Sequence, residues 1–155
     1  MIRANLSFVI YDPNVIRVGT GSGDLTISQA STGAVDGNVI LIKAGTYGRI
    51  TIQNFSYASG TRVYIKNEGL VTMSAGMDIN NVEGVTISGD HVPSIAKGFQ
   101  FISNPGRAIR IGVKMQRTTL KSMYFENVAD LCIASEPNIN NQVYDNTLAT
   151  RSDTI

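Results

Sequence analysis

The chain has 155 residues, a formal net charge of +1 and only 16% charged residues. That length suits one domain able to bury roughly two-thirds of its unfolded surface. The near-neutral balance argues against nucleic acid or an anionic membrane as the partner. No apolar run approaches the ~18 residues of a membrane span. No charged-then-apolar leader is visible either, so any export signal is expected to have been removed or never to have existed. Cys132 is the single cysteine and cannot close an internal disulfide; between Leu131 and Ile133 it reads as a small strand filler. Trp is absent, which leaves six Tyr and five Phe for any stacking on a sugar.

In chain order, Leu6 to Tyr11 is apolar, Asp12-Pro13-Asn14 forms a turn, and Val15-Ile16-Arg17-Val18 comes next. Gly19-Thr20-Gly21-Ser22-Gly23 lacks the Lys-Ser/Thr ending of a phosphate-binding loop and reads as a flexible turn. A short helix is predicted over 24–34 with Asp24 as N-cap. Residues 1–36 are therefore expected to form an N-terminal cap that plugs the open end of the main body, residues 37–155. Val39-Ile40-Leu41-Ile42 enters that body, Ala44 to Gly48 makes the first corner, and Ile50-Thr51-Ile52 the next strand.

From Val63 onward the chain repeats itself every 22 to 24 residues. Val63-Tyr64-Ile65, Val85-Thr86-Ile87, Ile109-Arg110-Ile111 and Leu131-Cys132-Ile133 align with starts 22, 24 and 22 residues apart. A second set, Met77-Asp78-Ile79, Phe99-Gln100-Phe101 and Met123-Tyr124-Phe125, is spaced by 22 and 24. Asn81, Asn104 and Asn127 succeed it at intervals of 23. Each apolar pair flanks one polar or small residue, the period-2 mark of a strand with one buried face. The unit is thus a β-coil. The expected fold is all-β, a parallel β-helix of about five coils, with Ile65, Ile87, Ile111 and Ile133 stacked inside and an asparagine ladder at one turn.

The run Gly37-Asn38-Val39-Ile40-Leu41-Ile42-Lys43-Ala44-Gly45-Thr46-Tyr47, after a short capping helix, resembles the opening of pectate-lyase-like right-handed parallel β-helix proteins. The segments Asn81 to Gly89 and Phe125 to Ile133 are similar to that family's coil repeat. The resemblance spans residues 20–155 and implies a right-handed helix, in keeping with the bias of parallel crossovers. It also implies an extracellular or cell-surface protein that binds or degrades polysaccharide. The family includes lyases, hydrolases, esterases, epimerases, phage tail spikes and adhesins, so the resemblance fixes fold rather than reaction.

The motifs of the family's enzymes are mostly missing. The only histidine, His91, lies in Gly89-Asp90-His91-Val92, and no Asp-Asp pair occurs. Arg110-Ile111-Gly112 lacks the lysine of the hydrolase Arg-Ile-Lys. Calcium needs six to eight oxygen ligands, and the carboxylates are scattered, so no cofactor is expected unless downstream rungs supply further carboxylates. Alternation on the aligned strands places Tyr64, Thr86, Arg110 and Cys132 outward, with Lys66, Ser88, Gly112 and Ala134 beside them. Glu68, Asp90, Lys114 and Glu136 then fall where the strands turn. Tyr64, Lys66, Arg110 and Lys114 are the expected saccharide contacts. Asp90 and Glu136, two rungs or roughly 9.6 Å apart by strand spacing, are the candidate catalytic pair of an inverting hydrolase. Lys114 between them would hold both ionised, which fits an ion-pair ladder better than an acid. The chain alone is expected to be catalytically silent.

Ile155 falls 22 residues after Ile133, where the next strand would start, and no cap is visible. The sequence therefore reads as the N-terminal part of a longer carbohydrate-active β-helix, or as a subunit whose open end another chain covers. The other function class compatible with it is a structural shaft of a tail spike or adhesin.

Overall fold

The structure, a computed structural model, describes residues 12–129 in full and, beyond them, the backbone of Asn138–Ile139, Gln142–Tyr144 and Thr147–Arg151. Its strands pair in parallel and wind into a β-helix with three walls. The first wall contains β1 (Val15–Val18), the start of β3 (Val39–Ser56), the start of β4 (Val63–Met73), β6 (Val85–Ser88), β10 (Thr119–Lys121) and β13 (Gln142–Tyr144). The second wall takes the start of β2 (Ser22–Ser28), residues 46–47 of β3, residues 71–73 of β4, β7 (Phe99–Ile102), β11 (Met123–Val128) and β14 (Thr147–Arg151). The third is built from the rest of β2 and β3, β5 (Met77–Glu83), β8 (Ile109–Ile111), β9 (Met115–Gln116) and β12 (Asn138–Ile139).

Alternation along each strand sends every second side chain inward, and parallel register stacks like on like. On the first wall Ile16, Ile40, Ile65, Ile87 and Leu120 are register mates. On the second, Tyr47, Met73, Phe101 and Phe125 line up, with the last two rings stacked at 4.7 Å. On the third, Ile27, Ile52, Ile79 and Ile111 do so. Most of these side chains are wholly buried, each contributing about 2 kcal/mol of hydrophobic stabilisation.

Three expectations need correction. The strand at 109–111 stands on the third wall beside Met77–Ile79, not beneath Val85–Ile87, whose next neighbour is β10. Ile111 therefore stacks on Ile79, while Ile133 lies outside the described residues. The cause is coil length. Register mates on the first wall are separated by 24, 25 and 22 residues up to Thr86, and then by 33 to Thr119. Those extra residues carry a third-wall strand into the phase where a first-wall strand was expected. Second, Asn81, Asn104 and Asn127 do not form one ladder. Asn81 is the mate of Asn54 on the third wall, and its Nδ2 donates to Asn54 Oδ1 at 3.2 Å. Asn127 lies next to Ser103 on the second. Both pairs sit at positive φ (55° and 54°, 52° and 50°), where a short polar side chain tolerates the left-handed bend of a corner.

Third, the helix is one turn, Gln29–Thr32, rather than 24–34. Its N-cap is Ser28, whose hydroxyl accepts from Ser31 N–H in a capping box, and Gly33 ends it in the left-handed region. Asp24 belongs to β2 and accepts from Arg49 N–H at 2.8 Å. The segment expected as a cap supplies, from Val15, a coil in register with the next. The glycines of 19–23 make that coil's first corner. Gly21 N–H donates to the buried Tyr47 hydroxyl, which donates in turn to Lys43 O.

Candidate functional site

The outward positions of the first wall form a polar grid over three coils. Arg62, Tyr64 and Lys66 alternate to the same side of the chain entering and following β4. Tyr64, Thr86 and Thr119 are register mates, as are Lys66, Ser88 and Lys121. Asp36 Oδ1 takes the backbone N–H of Arg62 at 2.7 Å and so fixes where its side chain starts. The Arg62 guanidinium then reaches across two coils, with Nη1 donating to Thr86 Oγ1 at 3.2 Å and Thr119 Oγ1 at 3.3 Å.

Asp90, two residues beyond Ser88, closes the other end of the grid. It accepts from Lys66 Nζ at 3.2 Å and pairs with Lys121 Nζ at 2.6 Å. Burial pushes its carboxyl up, but Lys121, Ser88 and Lys66 together outweigh that and hold it well below the ordinary carboxylate range. Ser88 Oγ is buried without a partner in hydrogen-bond geometry, so its help is that of a nearby dipole. Asp90 is the second residue of a loop, 89–98, that is longer by six residues than the matching corner of the coil before it. Gly98 N–H donates to Gly89 O at 2.7 Å and pinches the loop at its neck. Side chains are excluded there: a Cβ on Gly89 would lie 2.2 Å from Ser122 O, and one on Gly98 2.0 Å from Asn67 Nδ2. His91 is exposed in this loop and tied by its backbone N–H to Asn67 Oδ1.

The other expected contacts lie elsewhere. Arg110 projects from the third wall, where it and Arg49 clamp the buried Asp78; Arg49 Nη1 is 2.7 Å from Oδ1. Lys114 pairs with Glu83 at 2.9 Å, and Arg117 pairs with the same carboxylate at 2.6 Å. Their hydrogen bonds and charge lower the Glu83 pKa, with the Lys114 hydrogen bond the largest cause, against the opposing effect of burial. So Tyr64 and Lys66 share a face, Arg110 and Lys114 do not join them, and the Asp90–Lys114–Glu136 ladder is replaced by Lys66–Asp90–Lys121. Glu136 and Cys132 lie outside the described residues.

Every carboxylate from Asp12 to Glu126 has a donor or cation. Asp12, Asp24 and Asp36 take backbone N–H groups, Glu68 takes Arg17, and Glu126 takes the Tyr124 hydroxyl. Asp78, Glu83 and Asp90 each hold two cations. Among the described residues no three His, Cys, Asp or Glu side chains gather as a metal-ligand set. Sequence reasoning missed Arg62, Thr119 and Lys121. The alternation Arg62-x-Tyr64-x-Lys66 was a legible signal for the first, whereas the other two were hidden by the long coil.

Comparison with known proteins gives no match: no family model, no curated protein and no solved structure aligns with the chain.

Proposed function

We propose that this chain is a polysaccharide-binding parallel β-helix of an extracellular protein, and that the outer face of the first wall carries the contact. The observation that supports this most is the row Arg62–Tyr64–Lys66 standing over the threonines and serine of the next coils. A sugar polymer presents hydroxyls at regular intervals, and a β-helix face presents donors and acceptors at the strand spacing of about 4.8 Å. Tyr64 adds a half-exposed ring whose hydroxyl can bond while its face stacks. The likeness of the opening run and coil repeat to pectate-lyase-like proteins points the same way, as an analogy of fold. Binding rather than turnover is proposed because Asp90 and Glu83 are held in the ionised form, the reverse of what a glycosidic acid requires.

The test is a glycan array and then titration of the best ligand. Tyr64→Ala and Lys66→Ala should each weaken binding by about tenfold, while Arg110→Ala on the third wall should leave it unchanged. Loss on Arg110→Ala with indifference to Tyr64→Ala would reject this face.

One observation favours a shaft as the second reading. Asp78 is held from the coil before it and the coil after it, as is Asp90, so the carboxylates stitch coils along the axis. A shaft would show no glycan binding and a trimer by sedimentation.

A further inference from the structure

We infer that Arg62, Thr86 and Thr119 form an oxyanion subsite within the first-wall face, one that takes a carboxylate, sulfate or phosphate group. The inference deepens the polysaccharide reading and rests on it only for the polymer that would carry the anion.

The argument is an account of donors. A guanidinium has five N–H groups and accepts nothing. The two hydrogens on Arg62 Nη1 go to the two threonine hydroxyls. Nε and Nη2 keep three more. A hydroxyl that accepts from arginine still has its own proton to donate. Thr86 and Thr119 are 7% and 5% exposed, so little bulk water reaches these protons. Thr86 and Thr119 are direct neighbours across the ladder. Among the described residues no further acceptor pairs with the Arg62 guanidinium or with either hydroxyl.

Charge points the same way. Arg17, Arg49, Arg110 and Arg117 each meet a carboxylate. Arg62 meets two neutral hydroxyls instead, although it is partly buried. No carboxylate among the described residues pairs with its guanidinium. Asp36 takes the backbone N–H of Arg62 itself. Asp90 lies four residues along the strand direction from Thr86, about 13 Å at the rise of an extended chain, and already holds two lysines. An oxyanion facing Nε and Nη2 would form the bidentate, charge-assisted pair that arginine favours.

The experiment uses three polymers on one backbone, dextran, carboxymethyl dextran and dextran sulfate, with inorganic sulfate and phosphate titrated alongside by calorimetry at low salt. Variants are Arg62→Gln and, because Arg62 also braces the wall, Thr119→Val and Thr86→Val, each checked for an unchanged unfolding midpoint. Carboxymethyl dextran or dextran sulfate should bind the natural protein more tightly than dextran. Arg62→Gln should weaken that binding about tenfold or more, and the threonine variants by less, with a larger loss for the acidic polymers than for dextran. A preference for one acidic polymer or one free ion tells carboxylate from sulfate or phosphate. If dextran binds as well as its acidic forms and folded Arg62→Gln alters nothing, the subsite is overturned while the polysaccharide reading stands. If free sulfate or phosphate titrates into the natural protein but not into Arg62→Gln, and no polymer binds, the subsite stands and the polysaccharide reading fails. If neither ion nor polymer binds, the subsite is overturned.

Discussion

Arg110 and Asp78 face each other as register mates on adjacent coils of the third wall, and the guanidinium grips the carboxylate through both Nε and Nη2. Arg49 completes the clamp from the coil on the other side. Asp78 is buried, whereas Arg110 remains 54% exposed, so the two partners do not matter equally. Asp78→Ala leaves two cations without a counter-charge and should cost about 2 kcal/mol or more. Arg110→Ala leaves Asp78 still held by Arg49 and should cost under about 1 kcal/mol. Urea unfolding of the two variants measures both; equal losses would show that the clamp does not act through the buried carboxylate.

Gly45 and Gly60 both have positive φ, at 151° and 89°, but only one is hemmed in. A Cβ on Gly45 would lie 2.0 Å from Gly21 O, a backbone atom of the coil before it, while a Cβ on Gly60 would meet nothing within 4 Å. Gly60→Ala should therefore cost only backbone strain, about 1 kcal/mol. Gly45→Ala adds a collision between coils and should cost more than about 3 kcal/mol. Denaturant midpoints separate these outcomes, and similar values would mean that the coils can part at this corner without penalty.

The β-coil pattern was legible because stacked strands need the same alternation on every rung. Which wall each strand belonged to was not, because all three walls use the same apolar-x-apolar signature. Ile109-Arg110-Ile111 comes 24 residues after Val85-Thr86-Ile87, a normal coil length for this protein, yet belongs to another wall. The clue was the punctuation between them: Gly89 and Gly98 at a loop neck, then Pro105-Gly106. Spacing alone puts Tyr64 and Arg110 on one face, whereas pairing puts them on two. The first coil was missed for a different reason. Gly19 to Gly23 and Asp24 suggest a turn and an N-cap in isolation. Leu25-Thr26-Ile27 nevertheless matches Ile50-Thr51-Ile52 one coil on, and tertiary pairing overrides the local preference for helix.

Ile87 tests the stack itself. It is wholly buried between Ile65 and Leu120. Ile87→Ala should open a cavity and cost about 3 kcal/mol. Its neighbour Thr86 points outward and loses a hydroxyl bonded to Arg62 and one methyl group, so Thr86→Ala should cost less, about 1 kcal/mol. Thermal unfolding of the pair decides, and an Ile87→Ala midpoint no lower than that of Thr86→Ala would contradict the packing.

Acid should loosen the coils through Asp90 and Glu83. Both carboxyls titrate below their ordinary values of 3.8 and 4.5 when folded. For Asp90, burial raises the pKa, but Lys121, Ser88 and Lys66 lower it further. For Glu83, the Lys114 hydrogen bond leads, burial opposes it, and Arg117 adds to the lowering. A carboxyl whose pKa is depressed by folding binds its proton more readily in the unfolded chain. It therefore stabilises the fold fully above the unfolded value, and that contribution is lost as the pH falls towards the folded one. Unfolding free energy should accordingly be flat with respect to these two groups at neutral pH. It should decline below about pH 4.5, where the unfolded carboxyls begin to protonate. The double variant Asp90→Asn/Glu83→Gln should start less stable at neutral pH and fall less steeply in acid, so that the two curves converge. Urea titrations at a series of pH values between neutrality and about pH 2 give both curves. Parallel curves would show that neither carboxylate is held more strongly in the folded coil than in the unfolded chain.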